Sequence, residues 1–447
     1  MAGTRSFYGS AKLDRPPSAR PVFKDYLTKS PFQIELATVD SGRILRRSQK
    51  PSCLSLFSGA GGLDFGLEAA GFQVALAVER DEACCKTLRA NRRWPILESD
   101  IADVEARDVL KASGLRRRNV DLLTAGPPCQ PFSKSANWSP TGPRGLADPR
   151  ADAIHRLLDV IEAVLPRCVL IENVEGFQSA GRESGLTLAL SKVREINRRW
   201  GTDYRPTWRV LNAAHFGVPQ LRKRFFLIAF RDGTEFDFPE PSVHSPVTSW
   251  ETIGPLSKKS RPDLGMKGRW ADLLRTIPEG HNYLWHTARG GGASLFGWRT
   301  RYWSFLLKLA KKAPAWTIPA HPAQNAGPFH WHNRQLSTAE MLRLQTFPQE
   351  IIIQGSRSDR QRLIGNAVPS LLAETIGRHL SLQLGYRKRL GGPYRLSVQR
   401  FQEPIPEPEA LEVIREQYLG LIGVHNDHPG TGLGPQGRRE QANLLVI

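Results

Sequence analysis

Cys129 is the side chain in this sequence best suited to covalent chemistry. It sits in Gly126-Pro-Pro-Cys-Gln-Pro-Phe-Ser133, just after the apolar run Val120–Thr124, which reads as a β-strand. A thiolate is an intrinsically strong nucleophile, and a nearby positive field would help ionise a thiol whose ordinary pKa is about 8.5. Pro127, Pro128 and Pro131 stiffen the backbone around it and lower the entropic cost of holding a nucleophile in place. A loop just beyond the C-terminal end of a strand is also where doubly wound sheets take their ligands. Cys53 and Cys168 lie inside apolar runs and read as buried structural thiols. Residues 133–150, rich in Ser, Gly, Pro and Asn, read as a lid over the loop.

A second constellation points to a nucleotide. The first apolar run leads directly into Phe57-Ser-Gly-Ala-Gly-Gly-Leu-Asp64. Gly59, Gly61 and Gly62 allow a tight strand-to-helix turn with room for a ligand at the helix N-terminus. Glu79 ends the next strand, twenty residues after Gly59, where a carboxylate can accept hydrogen bonds from ribose hydroxyls. Asp100 follows as the chain approaches Val120 and is placed to meet an adenine amino group. On these residues alone, a nicotinamide oxidoreductase fits as well as any other nucleotide-binding enzyme.

The elements that must position these groups alternate regularly. Strands are expected at Cys53–Phe57, Gln73–Glu79, Val120–Thr124 and Cys168–Glu172, with helices at Leu63–Ala70, Glu82–Asn91, Ala151–Leu165 and Leu186–Trp200. Such alternation predicts an α/β fold, a Rossmann-like, doubly wound, mostly parallel sheet. Two further β-like runs, Trp208–Asn212 and Phe225–Phe230, close this region. From 232 to 330 the alternation is lost, and Pro, Gly, His, Trp and basic residues predominate, as expected for a second, smaller irregular domain inserted into the first. Helical patterns return at Ser337–Gln345, Leu371–Leu384 and Glu409–Leu421. The expected organisation is therefore a basic arm at 1–50 with a short strand near Phe32–Leu36, a catalytic domain at 51–231 and 331–384, the inserted domain at 232–330, and an extension at 385–447.

The chain has 447 residues, 62 Lys and Arg against 43 Asp and Glu, and a net charge of +19, which favours a polyanionic partner, nucleic acid first. Five cysteines without a CxxC pair argue against a disulfide framework or a zinc site, so no metal is expected. No apolar run is long enough to span a bilayer, and the first residues lack a signal-peptide core. The expected location is the cytoplasm, associated with the nucleoid, with no membrane partner.

The motifs together resemble those of the DNA cytosine-5 methyltransferases of prokaryotic restriction-modification type. The likeness runs from about Leu54 to Gly377 and is carried by six segments in the family's order. They are Phe57-Ser-Gly-Ala-Gly-Gly, Gly126-Pro-Pro-Cys-Gln-Pro-Phe-Ser, Glu172-Asn-Val, Pro219-Gln-Leu-Arg-Lys-Arg224, Arg343-Leu-Gln-Thr-Phe-Pro348 and Gly365-Asn-Ala-Val-Pro369. The resemblance implies S-adenosylmethionine as methyl donor and cytosine C5 as acceptor. It makes Cys129 the nucleophile that adds to C6, Glu172 the partner of N3 and Arg224 the donor to O2. Arg222 would support the nucleophile loop; its spacing from Arg224 puts both on one strand face. Glu172 must hold a proton to serve N3, so a raised pKa is expected from desolvation. For the cofactor the resemblance implies Phe57 on the adenine face, Glu79 on the ribose, Asp100 near the adenine amino group and Ile101 as an apolar wall. Ser58, Gly59, Gly61, Gly62 and Asn366 would surround the rest. Arg80 stands where relatives often carry an apolar side chain, and its stem or its guanidinium plane is expected to substitute. The resemblance assigns no base for the C5 proton.

It further implies a double-stranded DNA partner whose target base is flipped out of the stack, a monomer, and possible pairing with a restriction endonuclease. Gln130, Ser133 and Gln220 would lie at the DNA. The inserted domain would read sequence, with base-edge arginines expected in Gly290-Gly-Gly-Ala-Ser-Leu-Phe-Gly-Trp-Arg-Thr-Arg-Tyr-Trp303, Arg299 and Arg301 first. Trp298 and Trp303 are expected in that domain's core. Alternatives at this point are a transfer-RNA-type cytosine-5 methyltransferase, which the long insert disfavours, and a catalytically silent DNA-binding relative.

Overall fold

A computed structural model describes residues 50–128, 152–178, 184–257, 261–297, 302–322 and 324–424. Its centre is a seven-stranded sheet of order β3-β2-β1-β4-β5-β8-β6. The strands are β1 (Ser52–Leu56), β2 (Gln73–Glu79), β3 (Ile96–Glu98), β4 (Leu122–Ala125), β5 (Cys168–Asn173), β6 (Thr207–Asn212) and β8 (Lys223–Phe230). The first five pair in parallel, and β8 runs antiparallel between β5 and β6. A short β7 (Gln220–Leu221) pairs apart from this sheet with β9 (Ala315–Trp316). Every residue of β4 and β5 is buried, as expected of central strands covered on both faces.

Two apolar layers explain the burial. One face carries Leu54, Leu56, Leu123, Ile171, Phe225 and Leu227 against α4 (Asp152–Val164) and α5 (Gly185–Trp200). The other carries Cys53, Leu122, Cys168, Leu170 and Phe226 against α1 (Gly62–Ala69) and α10 (Ser370–Gln383). Cys53 and Cys168 are fully buried, as expected of structural thiols. Glycines let α1 and α10 approach closely: a Cβ on Gly66 would lie 2.4 Å from both the Ala373 Cβ and the Ser370 carbonyl oxygen. The chain thus leaves the sheet after β8 and returns some 140 residues later to cover its first helix. Asp81 caps α2 (Glu82–Asn91) by accepting from the Cys84 amide at 3.0 Å.

Among the described residues the expected elements recur with ends shifted by one or two residues, apart from Glu409–Leu421; β3 and α9 (Arg357–Asn366) were not expected, and the strand near Phe32–Leu36 and the 133–150 segment lie outside the described residues. The three-residue β3, beside α3 (Ala106–Ser113), was too short to show a period in the sequence. Asp100 therefore follows a strand rather than approaching one. In Glu409–Leu421 only α11 (Glu416–Leu419) is helical. This segment takes its partners from outside itself. Glu412 pairs with Arg275 at 3.0 Å, Arg415 with Asp272 at 2.8 Å, and Glu409 with His332 at 2.9 Å. Tyr418 is buried, stacks on Trp270 at 5.9 Å between ring centres, and donates to the Arg269 carbonyl at 2.5 Å. It completes an apolar cluster with Leu273, Leu274, Ile277, Tyr283, Phe296 and Phe329. Residues 401–418 thus run as a strap over the 261–334 region, joined upstream by the Phe401 amide on the Glu251 carbonyl at 2.7 Å. Among the described residues no helix is long and apolar enough to cross a membrane.

Candidate active site

The C-terminal ends of β1, β2, β4 and β5 open onto a cavity of about 410 Å³. The turn after β1 forms one wall. Phe57, with φ of +56°, and Gly59 and Gly61, at +56° and +82°, adopt the left-handed conformation that the sharp turn into α1 requires. A Cβ on Gly59 would meet no atom within 4 Å, so the backbone there borders open space. Ser58 is nearly buried and exchanges a hydroxyl hydrogen bond with Ser55 at 2.8 Å.

Glu79 fixes this turn to β2. One carboxylate oxygen accepts from the Gly59 amide at 2.8 Å and the other from the Arg80 and Asp81 amides, both at 2.9 Å. Three of its four acceptor sites are thus engaged, and one remains, on the oxygen that holds Gly59, in a residue that lines the cavity. Asp100 accepts from the Ala102 amide at 3.0 Å and forms an ion pair with Arg80 at 2.7 Å. The amide bond, with the guanidinium's help, holds its carboxyl below the usual range. The expectation that Arg80 works through its stem or ring-stacking plane thus meets a guanidinium already engaged by the neighbouring acid. Ile101 is buried beside Asp100. Across the opening, Asn366 is exposed at the end of α9 (Arg357–Asn366), and Arg362 of that helix pairs with Asp81 at 2.8 Å.

At the other end, Glu172 is the last residue but one of β5. It is buried, and Arg224 Nε on the adjoining β8 lies 3.0 Å from its Oε1. Burial pushes the Glu172 carboxyl up, ahead of the opposing pull of Arg224 and Arg222. A protonated carboxyl can accept from Arg224 through Oε1 while its other oxygen holds the proton. That other oxygen would lie 3.4 Å from a Cβ on Gly126, so glycine leaves space between the acid and the Pro-Pro loop. The following Asn173 was not singled out from sequence, and its side-chain amide donates to the Pro127 carbonyl at 3.1 Å. The Glu-Asn-Val triplet thus supplies the acid and a brace on the loop that leads to Cys129.

Cys129, Gln130, Ser133, Arg299, Arg301 and Trp298 lie outside the described residues. Two expectations are corrected. Gln220 faces the interior, fully buried, donating to the Leu344 carbonyl and accepting from the Ile318 amide, both at 3.3 Å. The β7–β9 pairing draws it inward, away from any DNA-facing surface. Trp303 is 54% exposed rather than in a core, with its ring edge against Trp316. Arg222 is buried and donates to the Ile318 carbonyl at 3.2 Å and the Gly365 carbonyl at 2.5 Å. Those bonds tie it to the segment before Asn366. It does not share the outlook of Arg224, because the strand begins only at Lys223.

A doubly wound sheet whose strand ends frame a glycine turn, a clamped carboxylate and a buried acid–arginine pair has the architecture of an α/β enzyme with its site at the C-terminal ends of the strands. The chain belongs to the C-5 cytosine-specific DNA methylases, whose family profile matches residues 52–382. It is a DNA cytosine-5-methyltransferase. The type II methyltransferase M.SacI of Streptomyces achromogenes is 36% identical over 371 residues, 74% of this chain and 93% of the relative. M.AquIA of a Picosynechococcus strain is 39% identical over 228 residues, 50% of this chain and 88% of the relative. Among solved structures, a putative DNA modification methyltransferase from an Escherichia coli prophage superposes with a TM-score of 0.52 at 21% identity, over 74% of this chain and 98% of that one. A Spodoptera frugiperda DNMT2 variant gives 0.51 at 18%, over 74% and 99%. These last two likenesses speak to the fold alone.

Proposed function

We propose that the chain methylates C5 of a cytosine within a specific sequence of double-stranded DNA, with S-adenosylmethionine bound in the cavity and Cys129 as covalent nucleophile. The observation that carries this reading is the buried Glu172–Arg224 pair, 3.0 Å apart, beside the Pro-Pro turn that runs into Cys129.

The residues present fit the cofactor. Gly59 leaves room beside the turn, Glu79 keeps one acceptor site for a ribose hydroxyl, and Asp100 with Ile101 suits an adenine edge and face. Phe57, Ser58, Gly61, Gly62 and Asn366 border the same cavity or its turn. When bound, S-adenosylmethionine supplies an electrophilic methyl group. The protein's own residues do the remaining work. Cys129 adds to cytosine C6, which moves electron density onto the ring and makes C5 nucleophilic. Glu172 gives its proton to N3 and Arg224 donates to O2, so the charge raised by the addition is neutralised where it appears. Arg222 positions the segment before Asn366.

The target base would be flipped from the duplex, at a cost of a few kcal/mol that phosphate contacts offset. We assign sequence reading to the 232–330 region as a separate recognition domain, with Arg299 and Arg301 the leading base-edge candidates, between catalytic segments 51–231 and 331–384. Gln130 and Ser133 are assigned to the DNA side of the nucleophile loop. We further assign the enzyme to the cytoplasm and nucleoid as a monomer paired with a restriction endonuclease, a reading supported by relatives named type II methyltransferases.

The test is methyl transfer from tritiated donor to duplex DNA and to transfer RNA, with Cys129→Ser alongside, and trapping on 5-fluorocytosine DNA. Wild type is expected to label DNA and form the trapped adduct. Cys129→Ser is expected to do neither, with transfer falling by several orders of magnitude. A serine variant with the wild-type rate overturns the mechanism, and label on RNA alone overturns the substrate.

A further inference from the structure

Asp64 has no part in the chemistry just described, yet it is the most poorly satisfied charge among the described residues. It is fully buried in the first turn of α1, on the inner wall of the cofactor cavity, and neither carboxylate oxygen has a hydrogen-bond partner. Asp64 does not cap the helix, which begins from Gly61; only its own amide is close enough to pull the carboxyl down slightly. The Ser55 hydroxyl, shared with Ser58 at 2.8 Å, also pulls the Asp64 carboxyl down, but less than burial raises it. Thr124, beside Ser55 in the sheet register, also has an unpartnered buried hydroxyl. The charges closest to Asp64 are carboxylates, Glu79 on β2 and Glu68 on its own helix, with the Cys53 thiol on β1. On α10, packed along α1, Glu374 and Arg378 pair with each other at 2.7 Å. Burial accordingly raises the Asp64 carboxyl to about 7. A buried carboxylate left in this state is costly unless a cationic donor reaches it.

The sheet order says which part of a ligand would arrive there. Asp100 follows β3, Glu79 ends β2, Asp64 lies beside Cys53 and Ser55 of β1, and Glu172 is near the end of β5. A cofactor with adenine at β3 and ribose at β2 brings its amino-acid end to β1. We propose that Asp64 is the counter-ion of the cofactor's α-ammonium group. This assignment rests on the cofactor reading above and adds a binding residue to it.

Calorimetry on the full chain tests it with two ligands, S-adenosylhomocysteine and methylthioadenosine, the second lacking the amino-acid end. Asp64→Asn should weaken S-adenosylhomocysteine by about 10- to 100-fold, the range of a lost charged hydrogen bond, and leave methylthioadenosine unchanged. On the wild-type protein alone, at roughly pH 6, S-adenosylhomocysteine should release more protons on binding than methylthioadenosine does. Below its pKa of about 7 Asp64 must ionise to take the ammonium, so affinity for the full ligand falls as pH falls. Equal losses for both ligands, an unchanged S-adenosylhomocysteine affinity, or equal proton release each overturn the assignment. Failure of the wild type to bind either ligand overturns the cofactor reading and the assignment with it.

Discussion

At the scale of single residues, the site turns on Glu172 keeping a proton beside an arginine. Burial raises its pKa while Arg224 and Arg222 lower it, and burial dominates. A raised carboxyl pKa means the proton is kept to higher pH than usual and lost as pH rises through the shifted value. The rate of methyl transfer should therefore have an alkaline limb set by Glu172. Arg224→Gln removes a charge that favours ionisation, so the limb should move to higher pH even as the rate drops by roughly 10²- to 10³-fold. A pH–kcat/KM profile on duplex DNA checks this; a limb that stays in place or moves down refutes the role given to the pair. The Arg80 guanidinium pairs with the Asp100 carboxylate expected at the adenine, 2.7 Å away.

At the scale of elements, the loop entering Cys129 is held from the next strand, by Asn173 on the Pro127 carbonyl at 3.1 Å. Asn173→Ala should loosen the loop and lower kcat by about 10- to 100-fold, the cost of a small misplacement of reacting groups. S-adenosylhomocysteine affinity, measured by calorimetry, should not change; if it falls in parallel, the amide supports the whole cavity instead. Most of the sheet was readable because Cys53–Phe57, Gln73–Glu79 and Cys168–Glu172 are apolar runs ended by turn residues, and the glycine turn and Pro-Pro-Cys loop mark their ends. What escaped was decided by tertiary contacts. β3 has three residues and takes its register from β2. Gln220 reads as a polar motif residue but is drawn inward by β9. Glu409–Leu421 has helical spacing, yet its acids and Tyr418 find partners on Arg275, His332 and Trp270, and only Glu416–Leu419 is helical. Asp64 could have been noticed as an acid between apolar residues in Gly-Leu-Asp-Phe-Gly-Leu, on a helix that must pack on a sheet.

At the scale of the whole molecule, a net charge of +19 sets how the chain meets DNA. Neutralising phosphates releases counterions, so affinity for duplex DNA should fall linearly in log–log form with salt. Six to ten phosphate contacts would lose about 10³–10⁵ in affinity between roughly 50 and 200 mM salt. Fluorescence anisotropy over that range checks it, and a flat response would assign the charge elsewhere. The 401–418 strap has its own bearing on the molecule. The family profile ends at residue 382, so Tyr418 and its flanking ion pairs belong to a segment outside the shared core while completing the apolar cluster of the 261–334 region. Anyone exchanging that region with a relative's, to build a hybrid of new sequence preference, would need to transplant the final stretch of chain as well, since a foreign lobe would arrive without the lid that belongs to it.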